Sequence, residues 1–364
     1  MINGKSYYKG RKVFVTGHTG FKGAWLCLWL KKLGAHVTGY ALAPNTKPSL
    51  FELCQVDSDL DSILGDVRNL AGLKKALKQA QPEIVFHLAA QPLVSASYAE
   101  PIATLETNVL GTAHLLEACK GIASLKAIVV ITTDKCYAQM GTRRAFREQD
   151  ALGGNDIYSA SKACAEIVTA SFRKSFFDNK VGVATARAGN VVGGGDWAQD
   201  RLIPDCIRAF IGGEQVLIRH PDAIRPWQHV LEALRGYLLL GERLARLPEK
   251  YQGAWNFGPR PGDIWPVRKV VEALVRDWGQ GASWCLEKRH KFHEEPYLRL
   301  DSSRAKRLLL WKPVWDVQET LSRTADWYKA FAEGKNICDL TLEQIDAYSE
   351  SFITERRQRS SKRS

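Results

Sequence analysis

The sequence of 364 residues has no apolar run that approaches the ~18 residues of a membrane-spanning helix. Residues 1–6 also lack the apolar core of a secretory signal peptide. We therefore expect neither a membrane span nor export, and we interpret the chain as a cytoplasmic protein.

The eight cysteines are scattered along the chain, and no two of them form a Cys-x-x-Cys pair. Disulfide frameworks and zinc sites bring cysteines together at short spacings. We therefore expect reduced thiols, most of them small core residues, and no bound metal. No internal repeat or low-complexity tract appears either.

Positive charge is in excess, with a formal net charge of +12. A nucleic-acid-binding protein can carry such an excess. An enzyme for a pyrophosphate-linked substrate can carry it as well, because cations draw anions into a cleft. Part of the excess lies in residues 353–364, which we expect to form a solvated, mobile basic tail.

The first half of the chain alternates short apolar runs with segments of helical spacing. Such alternation predicts an α/β fold with a Rossmann-type, doubly wound parallel sheet, here over residues 1–193. The expected strands are Lys12–Thr16, His36–Leu42, Glu83–Leu88, Ala127–Ile131 and Val181–Thr185, and the expected helices are Ala24–Leu33, Leu70–Gln79 and Ile102–Cys119.

The second half has a looser rhythm, and residues 194–352 are predicted to form mainly a smaller C-terminal α/β lobe that binds the substrate. The pattern leaves open whether the last strand of the first domain precedes or follows Gly193. The expected helices are Ile203–Ile211, Leu231–Leu247, Val267–Val275, Val317–Ala332 and Leu342–Ser349.

A glycine-rich turn, Thr16–Gly23, stands between the first strand and the first helix with the spacing GxxGxxG. Glycine permits a tight turn and close approach of the backbone to a pyrophosphate, and the following helix presents free N–H groups to the phosphates. The turn predicts a dinucleotide site with contacts from Gly17, Thr19, Gly20 and Phe21. His18 either reaches the cofactor or caps the loop.

The acidic residue that often ends the second strand of such folds is missing from Gly39–Pro44. No arginine is present there for a 2′-phosphate, which favours NAD over NADP. Asp66 and Val67 follow a third apolar stretch, at the place where these folds contact the adenine. For Asp66 a helix N-cap is an equally good interpretation.

Tyr158 and Lys162 are four residues apart at the start of a predicted helix, so they share one helical face. Lys162 can favour the phenolate of Tyr158 by lowering its pKa, and it can hold the nicotinamide ribose. Thr133, Asp134 and Lys135 follow a buried strand and are expected to converge on the same crevice. The Asp-Lys pair suggests a second proton transfer, whereas the alternative is a surface ion pair.

Several of these segments resemble the extended short-chain dehydrogenase/reductase family. The broad match comprises Thr16–Gly23, His87–Ala90, Asn108–Thr112 and Tyr158–Lys162. A narrower match is to the 4,6-dehydratases of CDP-sugars within that family, through Gly17–Gly23, Thr133–Tyr137, Arg187–Trp197, Arg201–Asp205 and Arg225–Val230. The related dTDP-sugar dehydratases of that family carry Asp-Glu where this chain has Asp134-Lys135. One departure is Ser95, which stands where we expect a basic residue.

The resemblance implies an NAD-dependent reaction on CDP-glucose in three stages: oxidation at C4, loss of water across C5 and C6, and return of hydride to C6. Tyr158 is then the base at the C4 hydroxyl, and Thr133 bonds the same oxygen. Asp134 protonates the departing C6 hydroxyl and Lys135 removes the C5 proton. The resemblance also implies cofactor contacts at Leu88 and Ala89.

The substrate pyrophosphate is expected to meet Asn190 and Arg225, with Arg201 as a weaker candidate. For Arg225 the alternative is a structural salt bridge. Trp197 and Trp227 either line the cytosine site or pack in the core.

Two other functions remain open from the sequence: an epimerase of the same fold, and a non-catalytic protein that binds nucleic acid. In this family, helices such as those near Ile102–Cys119 and Ser159–Phe172 pair across a two-fold axis. We therefore expect a homodimer or a dimer of dimers.

Overall fold

The computed structural model describes residues 7–138, 144–177, 180–279, 281–287 and 298–361. Its centre is a sheet of seven parallel strands in the order β10-β6-β5-β4-β1-β2-β3. These strands are β1 Lys12–Thr16, β2 His36–Ala41, β3 Asp61–Leu64, β4 Ile84–His87, β5 Ala127–Ile131, β6 Gly182–Ala188 and β10 Gly253–Phe257. The predicted doubly wound α/β fold is confirmed.

Helices cover both faces of this sheet. In chain order they are α1 Phe21–Lys32, α2 Leu50–Leu53, α3 Leu70–Ala80, α4 Val94–Ala99, α5 Pro101–Leu105, α6 Gly111–Cys119, α7 Ile157–Phe176, α8 Leu202–Ile211, α9 Val230–Arg246, α10 Pro248–Tyr251, α11 Val267–Trp278, α12 Val317–Ala332 and α13 Ile337–Ser361. Within the described ranges, no helix combines the length and the apolar character needed to cross a membrane.

The two faces of the sheet bury different apolar layers, because successive residues of a strand point to opposite sides. Phe14 packs with Leu73 of α3 and Leu115 of α6 on one face. Its neighbour Val13 belongs to the layer that α1 and α9 cover on the other face. The central strands β4, β5 and β6 are buried along their whole length.

The predicted helix Ile102–Cys119 is divided: α5 is followed by a π-helical turn, Glu106–Leu110, and then by α6. Asn108 of this turn is buried, and its amide group bonds the backbone of Gln91 and Oγ of Ser161 at 2.8–3.0 Å. The wider turn directs this amide towards α7. Helical periodicity alone does not reveal such a turn.

The second lobe contains two small sheets. One is β11-β9-β7, formed by Ile264–Pro266, Ile224–His229 and Asn190–Val192; the other is β12-β8, formed by Trp284–Leu286 and Val216–Ile218. Between these lobe segments the chain returns to the first domain. Helix α9 packs on β5 and β6, and β10 pairs with β6. The last strand of the central sheet therefore follows Gly193.

The last helix, α13, continues to Ser361, where a mobile tail was predicted from residue 353 onward. Glutamate, arginine and glutamine are good helix formers, and residues 355–359 consist only of these types. Their charge indicated exposure to solvent, but it did not exclude a helical backbone.

Candidate active site

A cavity of about 700 Å³ opens at the carboxyl ends of the central strands. The connections that follow the neighbouring strands β1 and β4 run to opposite sides of the sheet. Ligands of such folds bind in the crevice between these two strands. Of the site residues predicted from the sequence, the cavity is lined by Gly17, Thr19, Gly20, Phe21, Asp66, Val67, Leu88, Ala89, Thr133, Asp134, Lys135, Tyr158, Lys162, Asn190, Arg201 and Arg225.

The glycine turn is packed so closely that two of its glycines have no room for a side chain. Gly17 has φ +75°, and a Cβ there would lie 2.7 Å from the backbone nitrogen of Ala89. A Cβ on Gly23 would lie 2.0 Å from the carbonyl oxygen of Gly17. The requirement for glycine predicted from the spacing is therefore met at both positions.

Gly20 differs from these two glycines, because the nearest atom to its Cβ would be 3.5 Å away. It lines the cavity as the N-cap of α1, and no side chain among the described residues caps that helix end. Free N–H groups at a helix N-terminus attract anions. The space in front of Gly20 thus fits a dinucleotide pyrophosphate.

His18 does not line the cavity. Its ring is fully buried against Phe51, and Nε2 lies 2.8 Å from Oγ of Ser62. Burial lowers the pKa of His18 to about 4, so the ring is neutral near pH 7. Of the two roles left open by the sequence, this placement favours a loop-packing side chain over a cofactor contact, because the ring points into the core.

The polypeptide after β4 is fastened to the glycine turn. The hydroxyl of Thr16 accepts a hydrogen bond of 3.2 Å from the backbone N–H of Ala89, and the Leu88 N–H donates to the Thr16 carbonyl at 3.1 Å. His87 lies beneath them, 2.7 Å from the Thr16 hydroxyl. These bonds hold Leu88 and Ala89 on the cavity wall.

Asp66 lines the cavity but is not a helix N-cap. Asn69 caps α3 instead, by accepting a bond from the Gly72 N–H at 3.0 Å. The carboxylate of Asp66 pairs with the Arg68 guanidinium at 2.6 Å, which lowers the pKa of Asp66. Val67 lies beside it, between the cavity and Gly111 of α6.

Tyr158 and Lys162 lie one turn apart on α7, and both are nearly buried. Lys162 Nζ donates to the Ile131 carbonyl at 3.3 Å, and Thr133 is close enough to the Tyr158 hydroxyl to influence its pKa. Burial lowers the pKa of Lys162 to about 8. Burial raises the pKa of Tyr158 to about 12, although the Thr133 hydroxyl and the charge of Arg201 oppose this rise.

The raised pKa of Tyr158 is opposite to the lowered value expected from the sequence. The expectation considered only the neighbouring Lys162, whereas the loss of water around a buried phenol disfavours its charged form more strongly. The protein's own groups therefore hold Tyr158 in the neutral form near pH 7.

Asp134 begins a short 3₁₀ turn, Asp134–Cys136, directly after β5. Its Oδ1 accepts a bond of 3.1 Å from the Thr133 hydroxyl, while its Oδ2 has no hydrogen-bond partner among the described residues. Burial raises the pKa of Asp134, against the lowering effect of Lys135 and Arg225. A carboxyl group in this setting can remain protonated and donate its proton.

Lys135 is half-buried and lines the cavity next to Asp134. Its backbone N–H donates to Oγ1 of Thr133 at 3.3 Å, which fixes the turn that carries all three residues. Among the described residues, the Asp134 Oδ2 has no hydrogen-bond partner, and Asp134 is buried and not at the surface. This geometry argues against the alternative of a surface ion pair.

Lys22 and Asp196 are two charged cavity residues to which the sequence analysis gave no role. Lys22 belongs to the glycine turn, and burial near Arg201 and Lys162 lowers its pKa to about 8. Asp196 pairs with Arg201 at 2.8 Å, and Arg201 is near enough to Tyr158 to influence its pKa. A lysine within a pyrophosphate turn was a visible signal for the first residue. The second depends on a tertiary contact.

The lobe contributes the remaining wall of the cavity. Asn190 of β7 and the nearly buried Arg225 of β9 face it, and Nη1 of Arg225 donates to the Ile224 carbonyl at 2.9 Å. Trp197 and Trp227 also line it, although each is more than nine-tenths buried. Ser95 also lines the cavity. Both tryptophans thus pack in the protein and also contribute to the cavity wall.

A Tyr-Lys pair beside a glycine-rich turn at a helix N-terminus is typical of enzymes that move hydride between a dinucleotide and a carbon that bears a hydroxyl group. The fold and the site together define a Rossmann-fold enzyme with short-chain dehydrogenase/reductase chemistry. Residues 13–258 match the model of the NAD dependent epimerase/dehydratase family, and the chain belongs to that family.

Known proteins similar to this chain include both dehydratases and proteins bound to sugar nucleotides. The chain is 49% identical over 350 residues to the CDP-glucose 4,6-dehydratase of Salmonella typhimurium, covering 94% of this chain and 98% of that protein. The crystal structure of MoeE5 in complex with UDP-glucose and NAD is 26% identical, with a TM-score of 0.75 over 88% of this chain and 99% of that one. DesIV, a dTDP-glucose 4,6-dehydratase from Streptomyces venezuelae with NAD and TYD bound, shares the fold at 23% identity and a TM-score of 0.76, over 89% and 98% of the two chains.

Proposed function

We propose that this protein is a hydro-lyase that converts CDP-D-glucose to CDP-4-dehydro-6-deoxy-D-glucose with NAD as cofactor. The observation that carries the proposal is the presence of buried Asp134 and neighbouring Lys135 in the same cavity as Tyr158, because dehydration needs an acid and a base beyond those of a simple dehydrogenase. The identity of 49% to a CDP-glucose 4,6-dehydratase supports the choice of nucleotide.

When bound, NAD supplies a hydride acceptor for C4 and a hydride donor for C6. The backbone at Gly17 and Gly20 and the N-terminus of α1 hold its pyrophosphate. Leu88, Ala89 and Val67 form apolar wall on the cofactor side of the cavity. Lys162, whose Nζ lies at the end of β5, is positioned to hold the nicotinamide ribose.

The first proton transfer takes place at the C4 hydroxyl of the sugar. Once the phenol of Tyr158 has lost its own proton, it accepts this one, and the nearby Thr133 hydroxyl bonds the same sugar oxygen. The charge of Arg201 opposes the burial that raises the pKa of Tyr158, and the positive nicotinamide ring of bound NAD would oppose it further.

The elimination then uses the neighbouring turn. Lys135 Nζ takes the proton from C5, and the electron pair of that C–H bond forms the C5–C6 double bond. The C6–O bond breaks, and Asp134 gives its proton to the departing hydroxyl, which leaves as water. The raised pKa of Asp134 keeps that proton available. Lys135 finally returns a proton to C5 when hydride reaches C6.

The nucleotide half of the substrate lies against the lobe. Arg225 and Asn190 contact its pyrophosphate, and Arg201, which is close enough to Tyr158 to influence its pKa, is a further candidate for this contact. Two arginines can neutralise a diphosphate through charge-assisted hydrogen bonds. Trp197 and Trp227 also line the cavity and are candidates for contact with the nucleotide.

The test is incubation of the protein and NAD with the CDP-, dTDP-, UDP- and GDP-derivatives of glucose, with product mass and kcat/KM as readouts. We expect loss of one water, with CDP-glucose turned over far better than the others. Equal or higher kcat/KM with dTDP-glucose would contradict the nucleotide choice. A product with the mass of the substrate would indicate an epimerase.

We further propose that the protein works in the cytoplasm as a homodimer or a dimer of dimers. Ile102 of α5, Leu110 of the π turn and Ile167 of α7 are large apolar residues that are more than half exposed, and α7 packs against both of those segments. Pairing of these helices with a second copy would bury them. The proposed substrate and cofactor are metabolites of the cytoplasm.

A further inference from the structure

A buried ion pair lies directly behind the catalytic residues and outside the cavity lining. Glu166 of α7 and Arg187 of β6 are each almost completely buried, with 2.7 Å between Oε2 and Nη2. The second carboxylate oxygen, Oε1, accepts from Nε of Arg187 at 2.9 Å. The pair is therefore a two-point fork, which fixes the orientation of both side chains.

The same carboxylate also binds residues of two neighbouring strands, Thr132 directly after β5 and Thr185 in the middle of β6. Oε1 accepts from the Thr132 hydroxyl at 2.5 Å, and Oε2 accepts from the Thr185 hydroxyl at 2.7 Å. Thr132 immediately precedes Thr133 in the catalytic turn. Glu166 thus joins α7 to the residue from which that turn departs.

Arg187 holds the other end of the turn. Its Nη1 donates to the Tyr137 hydroxyl at 2.7 Å, and its guanidinium lies over the Tyr137 ring at 4.8 Å. The Tyr137 hydroxyl in turn donates to Oδ1 of Asn256 at 2.7 Å. Because Thr132 and Tyr137 flank residues 133–136, the ion pair grips the catalytic turn on both sides.

Glu166 is also one helical turn beyond Lys162, so the two side chains share a face of α7. Its negative charge opposes the burial that lowers the pKa of Lys162 to about 8. The other titratable groups near Lys162 are Tyr158 on its own helix, Cys136 of the catalytic turn, His87 at the end of β4 and Lys22 of α1. Among the groups that favour the charged form of Lys162, Glu166 has the largest effect on its pKa.

We propose that Glu166 is a positioning residue that, through Arg187 and Thr132, holds the catalytic turn in register with Tyr158 and Lys162. From its place one turn beyond Lys162, the same carboxylate also favours the charged form of that lysine. The inference rests on the proposed function. Stability alone does not account for the pair, since apolar residues of similar volume stabilise a protein as well as a buried ion pair does, or better.

The test is Glu166→Gln in the full chain, assayed with NAD and CDP-glucose over a range of pH. The wild type is expected to lose activity as pH rises through about 8, the pKa of Lys162. Without the Glu166 charge the pKa of Lys162 falls further, so the basic limb of the pH profile should move to lower pH. We expect kcat/KM near neutrality to fall about 10²-fold, the loss that small misplacements of reacting groups can cause.

Glu232→Gln is the matched control, because Glu232 is fully buried, bonds the Val314 and Trp315 N–H groups at 2.7 Å and lies outside the cavity lining. It should lower the melting temperature without moving the basic limb. If Glu166→Gln likewise lowers only stability and leaves the limb in place, Glu166 is merely structural and the inference is overturned.

Thr132→Val covers the case in which Glu166→Gln does not fold, because it removes the 2.5 Å bond without removing a charge. We expect C4 oxidation to continue and elimination to slow, so that reduced nicotinamide accumulates during turnover. Unchanged partial rates would overturn the inference. If the wild type removes water from none of the nucleotide-glucoses, the proposed function fails instead, and the two failures are thereby distinguished.

Discussion

Replacement of Asp134 by asparagine separates the two halves of the proposed reaction. The amide has the size of the carboxyl group and keeps an oxygen that can accept the 3.1 Å bond from Thr133, so the turn should retain its shape. It lacks an acidic proton to give to the C6 hydroxyl. Tyr158, Lys162 and Thr133 are untouched, and C4 oxidation should therefore continue.

The magnitude follows from the role of a general acid. Loss of such a group typically costs about 10²–10⁴-fold in rate. At 1.36 kcal/mol for each factor of ten, the barrier to elimination should rise by about 2.7–5.4 kcal/mol. The oxidation step is expected to change much less, because Asp134 has no part in it.

The assay is a single turnover with excess enzyme, in which the absorbance of reduced nicotinamide reports oxidation and product mass reports elimination. In Asp134→Asn the absorbance should rise and persist while water is retained. Normal product formation would refute the acid role. Failure to form any reduced nicotinamide would place Asp134 in the oxidation or binding step.

The same substitution should also change how stability depends on pH. Because the folded pKa of Asp134 is raised, the stability linked to its proton is fully present below the unfolded pKa of about 3.9 and is lost as pH rises through the folded pKa. The asparagine variant has no such loss, so the difference between its melting temperature and that of the wild type should shift in favour of the variant as pH rises. Asp263→Asn is the matched control: Asp263 is buried with a raised pKa but lies outside the cavity lining, so activity should be kept.

Three further predictions concern other parts of the molecule. Lys135→Met should let reduced nicotinamide accumulate in a single turnover and lower steady-state product formation about 10²–10⁴-fold, whereas near-normal turnover would assign the base to another group. Gly20→Ala should raise the Kd for NAD about tenfold, or about 1.4 kcal/mol by calorimetry, because the new methyl group enters the space before α1. Gly262→Ala is the control: a Cβ there would have no atom within 4 Å, and Gly262 lies outside the cavity lining, so the Kd for NAD should not change. Ile167→Glu should convert the assembly to monomers in light scattering at micromolar concentration, and a wild type that is itself monomeric would contradict the proposed dimer.

Local patterns were sufficient where the structure is locally determined. The runs Ala127–Ile131 and Val317–Ala332 were predicted with the observed bounds, because a buried apolar strand and an amphipathic helix are legible from neighbouring residues. The return of Gly253–Phe257 to the sheet was left open, since its partner, β6, lies some way back along the chain. The three-residue strands of the lobe are too short to show any periodicity.

The site divides in the same way. Tyr158 and the turn Thr133–Lys135 could be found because the ends of parallel strands and a four-residue helical spacing follow from geometry. The direction in which the pKa of Tyr158 shifts could not be predicted, because it depends on burial by residues far away in the sequence. Glu166 could have been placed on the same helical face from the sequence, because its spacing from Lys162 repeats that of Lys162 from Tyr158.

The return of α9 and β10 to the sheet has a consequence for engineering. The second lobe is composed of two separate segments, one between β6 and α9 and the other beginning after β10. Exchange of the lobe for that of a relative with another nucleotide preference therefore needs grafts at both segments. A chimera with a single junction at Gly193 would also import a foreign edge strand and a foreign α9, whose buried face must match the side chains of β5 and β6.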